Sequence, residues 1–101
     1  MTSQQNNFPR DIAARLAVAD ALARSGDYQP AERFYRETLR LAEAEAGEYS
    51  PLAGIVLVDM VYFYQCIGKE ADAEPLYERV RAILTKYALE IARQTAKREI
   101  S

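Results

Sequence analysis

The chain has 101 residues, half of them apolar and 28% charged, with 13 basic against 15 acidic side chains and no histidine. That length admits one domain. A net charge of -2 gives no electrostatic ground for binding nucleic acid or an anionic membrane, and the lack of histidine removes the commonest general base and metal ligand.

The first residues, Met1 to Asn7, are polar and carry no basic-then-apolar pattern, so no signal peptide is expected there and residues 1–10 are read as a flexible N-terminus. Ile12, Leu16, Ala19, Leu22 and Ala23 then recur at three- and four-residue spacing, which predicts a first helix. Asp11 or Asn7 is the expected cap, and Gly26 the stop. A second helix, capped by Asp27, is expected with Pro30 in its first turn, through Phe34, Tyr35, Thr38 and Leu39 to about Ala46, ending at Gly47.

Ser50-Pro51 joins a capping serine to a proline at the first helical position and opens a third helix, which Gly68 closes. This segment is rich in β-branched residues, so a strand is its rival, but a run of this length without alternation favours helix. Its core, Leu52 to Tyr64, is too short to span a bilayer and contains Asp59. A fourth helix is expected from Ala71 or Asp72 to about Lys97; neither Gly nor Pro follows Pro75, and a break near Thr85 is the alternative.

Little of this supports chemistry. Cys66 has no histidine to activate it and lies in an apolar helix, which predicts an inert thiol; as a lone cysteine it points to a reducing, cytoplasmic setting. The four glycines are scattered rather than gathered into a phosphate loop. No cofactor, no metal and no catalytic residue is expected. Asp59 stands out as an acid among Val, Met and Tyr; burial would raise its pKa, and a place on a solvent-facing groove edge, paired with Arg15 or Arg24, is the plainer expectation.

Shifting the sequence by 42 residues lays Gly26 on Gly68, Ala31 on Ala73, Glu32 on Glu74, Phe34 on Leu76, Tyr35 on Tyr77 and Leu41 on Ile83. A glycine, then Ala-Glu-x-(Phe/Leu)-Tyr five residues later, occurs twice, each time at the turn and start of a second helix. An unrelated four-helix bundle is the alternative reading. The segments Gly26 to Tyr35 and Gly68 to Tyr77 resemble the turn and second helix of a tetratricopeptide repeat, the second copy in particular resembling the longer kinesin-light-chain type. The resemblance covers roughly residues 12 to 88. It departs from the family pattern at Glu70, where the turn tyrosine would be, at Arg15, where a large apolar residue is favoured, and at Thr38 and Val80, which replace a small alanine.

The fold implied is all-α: two tetratricopeptide-like antiparallel helix pairs with a long or capping C-terminal helix. Residues 11–101 would form one domain, with repeat 1 at about 11–49, repeat 2 at about 50–88 and an extension at 88–101. The resemblance implies a concave face lined by the first helix of each pair, with Ala13, Leu16, Asp20 and Ala23 from one and Ile55, Val58, Asp59, Tyr62 and Cys66 from the other. Members that clamp acidic C-terminal peptides carry Lys and Asn there; Leu16, Asp20, Val58 and Tyr62 stand in their place, so an apolar or weakly basic helix or peptide suits this face better. The function expected is therefore that of a protein-interaction adaptor binding through Leu16, Asp20, Ile55, Val58, Asp59 and Tyr62, with no nucleic-acid or membrane partner. The alternatives are a structural homodimer that buries the apolar helix in its own interface, and a non-catalytic accessory subunit.

Overall fold

The computed structural model describes residues 8–100, with side chains described from Asp11 to Arg98. Asn7 as a helix cap, and most of the expected flexible N-terminus, lie outside the described residues. All regular structure among the described residues is helical: α1 Phe8–Arg24, α2 Tyr28–Ala46, α3 Pro51–Cys66 and α4 Glu70–Ile100.

The local signals explain most of these boundaries. Gly26 and Gly68 take positive φ (86° and 79°) at the two intrapair turns, a conformation L side chains rarely adopt. The Ser50 side chain accepts a hydrogen bond from Ala53 N at 3.1 Å while Pro51 begins α3, as the Ser-Pro pair predicts. Two expectations need correction. Asp11 is not the cap of α1 but lies within its first turn, because the helix already begins at Phe8; there its charge complements the helix N-terminus. Asp27 occupies the N-cap of α2 without a side-chain capping bond, its backbone φ and ψ of -87° and 73° falling outside the extended cap geometry. The expected single long fourth helix is present: α4 runs unbroken through Thr85 for 31 residues.

The helices form two antiparallel hairpins. α1 packs chiefly on α2 and α3 on α4; α2 joins the pairs by packing on α3, while α1 barely touches α3. Ala31 and Ala73, almost wholly buried at equivalent positions, supply the small surfaces across which the helices close. The core between the pairs is aromatic: Tyr35 and Phe63 rings lie 5.0 Å apart and Phe63 and Tyr64 5.3 Å, with Ile12, Leu16, Ala19 and Met60 around them. Thr38, unusual in place of alanine, is fully buried and donates its hydroxyl to Phe34 O at 2.6 Å, so no polar group is left unpaired there. A smaller cluster of Leu57, Val80 and Ile83 holds α4 to α3. Beside it Arg79 donates to Glu43 Oε2 at 2.7 Å and to the Glu48 carbonyl at 2.8 Å, tying α4 to the end of α2.

After Ile83 every described residue of α4 is exposed. The radius of gyration, 16.0 Å, exceeds the roughly 13 Å of a compact chain this long, as a protruding helix requires.

Candidate functional site: the groove between α1 and α3

Because α1 and α3 scarcely touch, a groove stays open between them. Its floor is α2 and its walls are the outward stripes of the two first helices. On α3 that stripe is Ile55, Val58, Asp59, Tyr62 and Cys66, residues three and four apart that share one face. Ile55, Val58 and Tyr62 are 56, 50 and 70% exposed, a large apolar surface for so small a chain.

At the C-terminal end of α3 the groove deepens into a cleft of about 500 Å³ lined by Asp20, Ala23 and Arg24 of α1, Tyr28 and Tyr35 of α2, and Asp59, Tyr62, Phe63 and Cys66 of α3, with Ile67 after it. Two carboxylates thus meet aromatic walls. Tyr35, buried, donates its hydroxyl to Asp20, which fixes that carboxylate on the cleft wall. Burial and, second, the hydrogen bond to Asp20 push the Tyr35 phenol far above its usual range. The Asp59 carboxyl is raised above the ordinary carboxylate range by burial and then by the charge of Asp20. Among the described residues neither acid is held in an ion pair; Arg15 and Arg24, expected partners of Asp59, form none with it. The cleft therefore sets two carboxylates and the guanidinium of Arg24 beside the exposed side chains of Tyr28 and Tyr62, with acids outnumbering bases.

Of the six residues expected to bind a partner, Asp20, Asp59 and Tyr62 come together in this cleft. Ile55 and Val58 lie farther along α3, in an apolar cleft of about 220 Å³ shared with Val80, Ile83, Leu84 and Tyr87 of α4. Leu16 is a correction: it is only 7% exposed and belongs to the core cluster with Ile12, Ala19, Ala31 and Tyr35, because α1 turns that position inward. Cys66, expected on the concave face with Tyr62, is exposed at the end of α3, where its thiol beside the Tyr62 hydroxyl holds that phenol above its usual range. Of the consecutive aromatics, Phe63 and Tyr64 are buried and Tyr62 is not. Sequence reasoning missed Tyr28 as a cleft residue; its ring sits 6.3 Å from Phe63, edge to face, and its place at the family's turn tyrosine was the available signal.

Two stacked helical hairpins with an open first-helix groove define a helical-repeat protein, a class that works by presenting a surface rather than by chemistry. The family model for the tetratricopeptide repeat matches residues 11–86. The chain belongs to that family, and its 42-residue spacing accords with the longer, kinesin-light-chain-like repeat. Neither a curated protein nor a solved structure matches it. Tetratricopeptide repeats as a family are non-catalytic scaffolds that mediate protein–protein interaction. No helix among the described residues is long and apolar enough to cross a membrane.

Proposed function

We propose that this chain is an adaptor whose groove between α1 and α3 receives a segment of a partner protein, with a basic side chain of that segment in the acid–aromatic cleft. The observation that carries this is the convergence of Asp20 and Asp59 with Tyr28, Tyr62 and Phe63 in one open cleft. A lysine or arginine entering there would meet two carboxylates and stack its stem or guanidinium on rings, interactions worth most where water is partly excluded. Farther along α3, Ile55 and Val58 offer apolar contact to neighbouring side chains of the same segment.

The test is fluorescence anisotropy with labelled octapeptides of alternating apolar residues and one central arginine, compared with the same peptides carrying norleucine there. The arginine series should bind at least tenfold more tightly, and Asp59→Asn should remove most of that preference. Equal binding of both series would reject the reading.

A further inference from the structure

The charges around the acid–aromatic cleft do not neutralise one another. Asp20 and Arg24 stand four residues apart on α1, acid before base, the spacing at which such residues ordinarily pair on a helix surface. Here the buried Tyr35 donates its hydroxyl to Asp20 instead. Asp59 has no base on its own helix, since α3 contains neither lysine nor arginine. Among the described residues lining the cleft Arg24 is the sole base, and it forms no ion pair with either acid. The Asp59 carboxyl accordingly stays above the ordinary carboxylate range, raised by burial and then by Asp20, with no base drawing it down.

The cleft thus holds charges of both signs side by side and unpaired. A lone cation entering it would meet the two acids and be repelled by Arg24. A ligand that brings a cation and an anion together satisfies all three groups. The helices also set the spacing of those two charges. Four residues of α-helix rise about 6 Å, so Arg24 lies about that far beyond Asp20, toward the C-terminal end of α1. Ile55 and Val58 lie toward the other end of the groove, nearer the start of α3. In an extended segment, side chains two residues apart share a face and stand about 7 Å apart, whereas adjacent ones point to opposite faces.

We infer that the partner segment carries an acidic side chain two residues from its basic one, on the side away from its apolar residues, and that Arg24 receives it. This rests on the reading of the cleft as a site for a basic side chain and supplies that site's second contact. The order along the groove is then apolar, basic, acidic.

A cycle of peptide and protein variants in the anisotropy assay tests this. Octapeptides with the arginine carry glutamate or glutamine two residues from it, beyond the apolar half, and each is made in both chain directions. With the native chain at low salt, glutamate should bind about threefold more tightly than glutamine in one of the two directions, the gain of an exposed ion pair. Arg24→Gln should bring that ratio to one, and Arg24→Lys should keep part of it. The ratio is the readout rather than the affinity, because Arg24 lies in the last turn of α1, where a base also complements the helix end. Glutamate placed next to the arginine, and so facing away, should bring no gain. A ratio of one in both directions, a ratio that survives Arg24→Gln, or an equal gain from the adjacent glutamate would each overturn the inference while leaving the arginine preference standing. Arginine peptides that bind no better than their norleucine counterparts would reject the underlying reading, and the inference with it.

Discussion

Asp59 is a half-buried acid placed near another acid, and its raised pKa fixes the sign of a pH effect. The folded chain holds the Asp59 proton more tightly than the unfolded chain does. Ionisation therefore opposes folding, and this penalty fades as pH falls through the raised folded-state pKa. Asp59→Asn should thus be at least as stable as the native chain at neutral pH, and its advantage should shrink toward acid pH; urea midpoints measured across the acid range check this. A lower midpoint for the variant at neutral pH would mean that the carboxylate serves the fold. Binding of a basic peptide should run the other way and weaken with acid, because it needs the ionised form. Gly54 gives a second residue-scale prediction. It lies inside α3, and an added methyl would meet Ile83 side-chain atoms at 3.5 and 3.7 Å, ordinary contact distances. Gly54→Ala should stabilise the chain by about 0.5–1 kcal/mol, seen as a higher urea midpoint with unchanged slope.

Among the elements, the joint between the two pairs depends on polar contacts as well as on aromatic packing. Ser50 caps α3, and Ser50→Ala should cost about 1 kcal/mol, or roughly 4–8 °C in melting temperature for a domain of this size. Arg79 makes the longer tie, bonded to Glu43 and to the Glu48 carbonyl, with its guanidinium 5.8 Å from the Tyr49 ring centre. Arg79→Ala should cost about 1–2 kcal/mol by leaving the half-buried Glu43 without its donor, and Glu43→Gln should cost less. Calorimetric melting of both variants is the check. The helices themselves were legible in the sequence because glycine, proline and capping serine announce most of their ends. Ser50-Pro51 and Gly68 need no tertiary information. Arg79 was not legible, since its partners lie more than thirty residues away and no local pattern couples them. Local signals left Asp11 and Asn7 as rival caps for α1, because Pro9 is as acceptable inside a first turn as before it, and the start at Phe8 excludes Asp11.

For the whole molecule, the repeat explains both what was foreseen and what was not. The 42-residue shift identified the paired hairpins and the first-helix groove, and it brought Asp20, Asp59 and Tyr62 to one place. It failed at Leu16, whose equivalent Val58 is 50% exposed while Leu16 itself is buried. Equivalent positions differ in burial because a later pair covers the first one and none of the described residues covers the second. Periodicity reports which residues share a face and is silent about which neighbour that face receives. The claim at the centre of this account is the proposed one, that the acid–aromatic cleft receives a partner's basic side chain. Its most direct measurement is a nuclear magnetic resonance titration with N-acetyl-arginine methylamide, with N-acetyl-norleucine methylamide as control. The account predicts that the arginine compound alone shifts the signals of Asp20, Asp59 and Tyr62, and that Asp59→Asn abolishes the response. Shifts of equal size with both compounds, or shifts confined to residues outside the cleft, would contradict it.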